Sequence, residues 1–448
     1  MVKDLTKGNP LKLILFFSLP MIVGNLFQQF YNMADSIVVG QFLGVNALAA
    51  VGSTGSINFM ILGFATGSCS GLCIPIAQAF GAGDMKTMRR YVTNAVYISA
   101  AITVFITAGT MLFTRQILLL MQTPANILED AYSYIIVVFA GTGALMLYNL
   151  LSGILRALGD SKTPLYFLII AAVLNIILDI VFVVPLKMGT AGAAYATIIA
   201  QAVSALLTVW VLLRAEGCIR LELRALRMTW SVLKQIVAVG IPAALQMAVT
   251  AFSNVFVQGY INYFGADCMS GWTAYTKVDQ LVILPVQSIS MAGTTFVGQN
   301  LGVGDTPRAK KGVRTALYLS FAVTAVLLVP VLLLAPELTA FFNQKPEVVS
   351  YGALLLRLLS PFYFFFCINQ VYSAALRGAG NSQMPMWIML GSFVVFRQIY
   401  LFVVANYVAN EIIPIALSYP AGWFLCSAAT LIYYSRCRFD KHRLVEDV

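Results

Sequence analysis

Long stretches of this chain contain no charged residue, among them Val92–Phe113 and Thr315–Ala335. A helix needs roughly 20 apolar residues to cross the hydrocarbon core of a bilayer. Backbone in hydrocarbon must satisfy its own hydrogen bonds, which an α-helix does within one segment. Runs of this kind recur along the chain, centred near Gly24, Met60, Ala101, Ala144, Ala172, Ala200, Ala248, Leu284, Val323, Phe364, Val395 and Cys426. An all-α membrane protein of twelve spans is the fold they imply. Composition agrees, since 60% of the residues are hydrophobic and 10% charged, against about 25% charged in soluble domains. The first run follows a short basic segment and lacks a small-residue cleavage site, so it is expected to stay as the first helix and not to be removed as a signal peptide.

The net charge of +10 would raise the question of nucleic acid in a soluble protein. Its distribution gives another answer. All but six of the 28 Lys and Arg residues (the exceptions being Arg115, Lys187, Lys277, Lys345, Arg357 and Arg397) fall in the termini or in alternate inter-span gaps. That is the positive-inside pattern, and it implies a multi-pass protein of the cell membrane with both termini in the cytoplasm.

The chain also repeats itself at an offset of 221 to 222 residues. Ile154-Leu-Arg-Ala-Leu-Gly-Asp-Ser-Lys-Thr-Pro-Leu165 is echoed by Ala375-Leu-Arg-Gly-Ala-Gly-Asn-Ser-Gln-Met-Pro-Met386, Gln78-Ala-Phe-Gly-Ala-Gly-Asp84 by Gln299-Asn-Leu-Gly-Val-Gly-Asp305, and Leu19-Pro20 by Ile241-Pro242. Six spans per copy give both copies the same orientation, a parallel duplication typical of alternating-access transporters with a central cavity. The expected division is a first lobe at 1–213, a cytoplasmic linker at 214–230, a second lobe at 231–436 and a cytoplasmic tail at 437–448.

Several chemistries are excluded or disfavoured. No Gly-x4-Gly-Lys-Ser/Thr phosphate loop is present, so uphill transport would need an ion gradient. The seven cysteines are scattered; Cys69 and Cys73 share a helix face, but no nearby His or second pair completes a metal site. The one histidine, His442, lies in the basic tail, so a proton relay would have to use carboxylates. The Gly-x-Gly-Asp motifs ending at Asp84 and Asp305 resemble those of intramembrane proteases, but basic residues follow each one. Glycine turns with an Asp N-cap, and Pro307 in the first helical turn, account for them.

Two acids fall inside spans: Asp35, in Phe30-Tyr-Asn-Met-Ala-Asp-Ser, and Asp179, in Leu174-Asn-Ile-Ile-Leu-Asp. A charge at the bilayer centre costs about 2.5 kcal/mol or more, so such residues usually face a partner or a cavity and mark an ion or proton site. Asn175 and Asp179 are four apart on span five, and Ala193 and Thr197 four apart on span six, so each pair shares a helix face. Two carboxylates with neutral oxygens suit a monovalent cation; desolvated, they could hold a proton instead. At the repeat offset Asp35 maps to Phe256 or Val257, Asp179 to Tyr400 or Leu401, and Asn175 to Phe396 or Arg397. Coupling is therefore expected in the first half. Asp279, read as lying at the start of span eight, and Arg397, in span eleven, are further candidates.

Together, Pro20 and Asp35 on span one, Asn175-x3-Asp179 on span five and Gly192-Ala-Ala-x-Ala-Thr197 on span six resemble the multidrug and toxic compound extrusion (MATE) family, and most of all its DinF-like branch. The resemblance runs over nearly the whole chain. It implies two parallel six-helix lobes around a central cavity, with Asp35 and Asp179 as cation-responsive acids beside Asn175, Ala193 and Thr197. It further implies a helix bend at Pro20 and a polar cavity lining from Gln28, Tyr31 and Asn149. NorM-like relatives carry acids in the second lobe, where span seven here offers only Gln246 and Gln258.

The function this implies is H+- or Na+-coupled export of organic, amphipathic cationic drugs by a monomer, with no cofactor and no metal beyond a Na+ at Asp35 and Asp179. The alternatives are a lipid-linked precursor flippase of the same superfamily and, from another class, an ion channel. Reporter fusions after Arg90, Lys162 and Arg227 should all read cytoplasmic; one clear external signal would overturn the topology.

Overall fold

The computed structural model describes residues 4–121, 123–214, 229–439 and 444, without the side chains of residues 45, 56 and 251. Most of the linker, with Cys218, Arg220, Arg224 and Arg227, and the tail residues Lys441, His442 and Arg443 lie outside that set. Among the described residues every regular element is helical. In order these are α1 (Pro10–Leu43), α2 (Val45–Leu72), α3 (Ile74–Gly81), α4 (Met85–Leu120), α5 (Leu128–Ala140), α6 (Thr142–Ala157), α7 (Lys162–Val183), α8 (Gly189–Arg214) and α9 (Trp230–Asn262). There follow α10 (Ala266–Val303), α11 (Thr306–Leu333), α12 (Ala335–Ala340), α13 (Pro346–Leu359), α14 (Tyr363–Gly378), α15 (Gln383–Met389), α16 (Arg397–Val403), α17 (Ile412–Ala416) and α18 (Ser418–Arg436). Two π-helical segments, Leu390–Phe396 and Val404–Val408, flank α16.

Eleven of these helices or helix runs are long and apolar enough to cross a membrane, and α5 with α6, bent by 44°, makes the twelfth. The bend falls at Gly141, where a Cβ would collide with Ile198 of α8. Glycine there lets the fourth span kink over its neighbour.

Packing separates two compact units, one holding Val23–Ala244 and the other Leu5–Ile22 with Leu245 onward. The sequence boundaries follow whole spans. The packing boundaries instead fall inside α1 and α9, shortly after the internal prolines Pro20 and Pro242.

In the first unit α7 lies along α8, and α5 and α6 pack on α8 as well. The α8 surface that receives them is made of small residues: Gly192, Ala193, Ala194, Ala196, Ala200, Ser204 and Ala205 are all buried. Lipid tails give helices no hydrophobic reason to associate, so close backbone approach through small residues carries the packing. The crossing of α2 and α9 shows the same economy, since a Cβ on Gly71 would lie 2.7 Å from Gly240 Cα and 2.9 Å from Ala243 Cβ.

In the second unit α10 is central, packed by α11, α13 and α14, with α18 against α14. One core holds Trp272, Tyr275, Tyr363 and Trp423. Another joins Leu13, Ile14 and Phe17 to Phe296, Val313 and Leu376. The segment before α1 is tied down here: Leu5 N donates to Gln299 Oε1 at 3.0 Å, and Arg308 Nη2 donates to Gly8 O at 2.9 Å.

The duplicated loop motifs fold as duplicated caps. Asp84 Oδ1 accepts from Thr87 N at 3.0 Å, and Asp305 Oδ1 from Arg308 N at 2.9 Å. The preceding Gly83 and Gly304 have φ of 74° and 91°, a region that only glycine enters freely. The Thr87 hydroxyl and amide hold the Asp84 carboxyl below its ordinary range.

Gly71→Ala forces α2 and α9 apart and should destabilise the protein by about 1–3 kcal/mol, the usual cost of overpacking. Gly52→Ala, whose Cβ would meet nothing within 4 Å, should be neutral or stabilising, by up to about 1 kcal/mol from helix propensity. Thermal unfolding in detergent measures both; equal effects would contradict the close crossing.

Candidate functional site

Asp35 lies on α1 eight residues before its end, and Asp179 on α7 four residues before its end. At 1.5 Å per residue these are about 12 and 6 Å from the helix termini. Both carboxylates are buried, Asp35 at 8% exposure and Asp179 at 0%. They stand within electrostatic reach of each other, and the phenol of Tyr134 on α5 is within reach of both. Residues close to them in sequence share one apolar cluster: Val38 and Val39 follow Asp35, Val183 follows Asp179, and Ala193 and Ala194 come from α8. Asp179 also sits near the last turn of α7, where unpaired carbonyls and the helix dipole make the local potential negative.

Asn175, one turn before Asp179, donates from Nδ2 to Thr197 Oγ1 at 3.3 Å. With its amide so engaged, Asn175 Oδ1 has no hydrogen-bond partner. Neither do Asp35 Oδ1, both oxygens of Asp179, or Gln201 Oε1. Five buried oxygens in one unit thus lack a donor. Such groups are costly unless something satisfies them, and oxygen ligands of this kind are what a hard cation takes. A proton on a carboxylate would serve too, by turning an acceptor into a donor. Among the described residues no three His, Cys, Asp or Glu side chains gather into a metal cluster.

The other expected residues divide. Tyr31 is buried one turn before Asp35. Asn149 is half-buried and donates to the carbonyl of Leu145 on its own helix at 2.9 Å. Ala193 stands in the apolar cluster, so only its backbone could offer oxygen. Pro20 lies inside α1, in the stretch that packs with the second unit.

Gln201 and Tyr134 belong to this group and were not singled out in the sequence. Gln201 carried a signal, because Thr197 and Gln201 continue the four-residue spacing begun by Ala193. Tyr134 carried none; it is one aromatic residue among many on an apolar helix.

Asp279 needs a correction. The sequence puts it at the start of span eight, but α10 begins at Ala266, so thirteen residues, about 20 Å of helix, precede it. Its Oδ1 accepts from the phenols of Tyr363 and Tyr275. Arg397 is 2% exposed; Nη1 donates to Ser253 Oγ at 3.2 Å and to Asn254 Oδ1 at 3.3 Å. Both residues lie in the second unit, apart from the acid pair in sequence and in packing.

The MatE family model matches the chain twice, over residues 20–181 and 242–403. Among curated proteins, the Probable multidrug resistance protein YpnP of Bacillus subtilis is 29% identical over 98% of both chains. The Probable multidrug resistance protein NorM of Thermotoga maritima is 26% identical, over 97% of this chain and 94% of that protein. A crystal structure of a MATE protein in a bent conformation has the same fold, with a TM-score of 0.90 at 24% identity over 96% of each chain. Twelve apolar spans, a doubled family match and full-length similarity to multidrug resistance proteins agree: the chain is a multi-pass membrane transporter and belongs to the MATE family.

Proposed function

We propose that this transporter exchanges H+ or Na+ for an organic, amphipathic cation, and that Asp35 and Asp179 bind the coupling ion. The observation that carries the reading is the set of five donor-less buried oxygens on Asp35, Asn175, Asp179 and Gln201. An incoming cation neutralises the acids and satisfies these oxygens; its departure leaves them uncompensated in a dry setting. Binding and release therefore differ in free energy between two conformations, as alternating access requires. The names of the similar multidrug resistance proteins support an organic substrate. The transporter works as a monomer with both termini in the cytoplasm. It needs no cofactor, since the ion gradient supplies the driving force.

Asp35→Asn and Asp179→Asn keep shape and hydrogen-bonding capacity but remove the charge that must bind and release the ion. Each should cut gradient-driven transport in liposomes by at least about tenfold, a loss of 1.4 kcal/mol or more in coupling, while the protein still folds. Asn175→Ala and Thr197→Ala should be milder, and Tyr400→Phe in the second half near normal. Wild-type rates in both Asp variants would refute the site. Concentrative uptake against a gradient separates this exchange from a channel, and substrate release without any imposed gradient would favour a flippase.

Gln201→Leu keeps volume and removes Oε1. It should weaken apparent affinity for the coupling cation by about tenfold, the worth of one hydrogen bond to a charged group. The dependence of transport on cation concentration reads this directly, and an unchanged curve would take Gln201 out of the site.

A further inference from the structure

One face of α10 is out of keeping with a helix surrounded by hydrocarbon. Thr273, Thr276, Gln280, Ile283 and Gln287 follow one another at spacings of three and four residues, so they form one stripe, and all five are exposed or half-buried. Exposed side chains on other spans are of another kind, such as Val104, Phe105, Leu112 and Phe113 on α4 and Val326, Val329 and Leu333 on α11. The α10 helix has 38 residues and is about 57 Å long. The stretch around its middle, roughly 275–294, is what the hydrocarbon core accommodates. It holds Thr276, Asp279, Gln280 and Gln287. Polar side chains at that depth border a water-filled space and not lipid.

Asp279 opens on this space. It stands between Thr276 and Ile283, three and four residues away, and is half-buried. Its Oδ1 accepts from two phenols, Tyr275 on its own helix and Tyr363 on α14. Both phenols are fixed by the aromatic core: they are 2% and 1% exposed, with ring centroids 5.1 Å from Trp272 and 5.8 Å from Trp423 respectively. The carboxylate is therefore held in place by one oxygen. The other, Oδ2, accepts from none of the described residues and, unlike the oxygens of Asp179, is not enclosed. Lys277 lies about 200° round the helix from it, and no described Lys or Arg forms an ion pair with it.

We infer that Asp279 is the cargo site of the second unit, and that it takes an organic ammonium, which donates to Oδ2 and lies along Thr276, Gln280, Ile283 and Gln287. The class follows from what the carboxylate has left to offer. A hard metal cation needs a shell of oxygens, whereas one oxygen is free here and no metal cluster forms among the described residues. An ammonium is held by one charge-assisted hydrogen bond, and the stripe beside it mixes neutral polar and apolar groups, as an amphipathic frame requires. That the cargo is an organic cation is the reading proposed above. Its placement at Asp279 holds whichever groups bind the coupling ion. Ion and cargo then do not compete for one carboxylate; each shifts the conformational equilibrium from its own unit.

The test measures binding of rhodamine 6G, a fluorescent lipophilic cation with N–H donors, to the purified full-length protein in detergent. Fluorescence polarisation is followed at fixed pH and ionic strength, with no gradient. The wild type should bind saturably. Asp279→Asn should weaken binding by at least about tenfold, the worth of a hydrogen bond to a charged group. Thr276→Lys, one turn away on the same face, sets a tethered ammonium beside Oδ2 and should weaken it as much. Glu129→Gln, which removes an exposed acid of the first unit, should leave affinity unchanged. If Asp279→Asn does not fold, the comparison passes to Asp279→Glu, which keeps the charge and should bind more tightly than Thr276→Lys. Wild-type affinity in Asp279→Asn and Thr276→Lys would overturn the placement and leave the organic-cation reading standing. No saturable binding by the wild type would remove both. Unchanged rhodamine affinity in Asp279→Asn, together with a lost response of its thermal midpoint to Na+, would assign the carboxylate to the coupling ion and likewise overturn the proposal.

Discussion

Hydrocarbon offers no hydrogen-bond partner, and nearly every feature of this protein follows from that. Backbone groups are satisfied within helices, helix ends within caps, and charges are kept to the loops. Against this background a buried polar atom without a partner is informative, because water will not supply the partner later. The first unit has a group of such atoms around Asp35 and Asp179, all acceptors. The partnerless atoms of the second unit are mixed, with donors such as Arg397 Nε and acceptors such as Asn300 Oδ1.

The two halves diverged unevenly. Loop geometry was kept: Asp84 and Asp305 cap helices in the same way, and Asp160 and Asn381 each accept amides at the start of the next helix. These positions are constrained by backbone hydrogen bonds that any parallel copy must make. Interior polar positions were not kept, because their roles depend on a ligand and not on the fold. The acids of the first half have no acidic counterpart in the second, and the guanidinium of the second has only an amide opposite it in the first.

What could be read from the residues follows the same line. The spans were legible because membrane thickness sets their length, and Asp35 and Asp179 because an acid in an apolar run is rare. Gln201 does not stand out, because glutamine in such a run is less unusual than an acid, although its spacing from Thr197 is regular. The depth of Asp279 could not be read, since Thr273, Thr276 and Lys277 near it look like the start of a helix. The structure shows α10 beginning well before them. The bend at Gly141 depends on Ile198, far away in sequence, and so no local pattern announces it.

The π segment before α16 has an evolutionary meaning as well. A residue inserted into a regular helix turns everything beyond it by about 100°, which would sweep a buried arginine out to lipid or bring one in. A wide turn absorbs that rotation locally and leaves the rest of the span in register. Such a helix keeps the residues beyond the wide turn facing the same neighbours even when one residue is added before them.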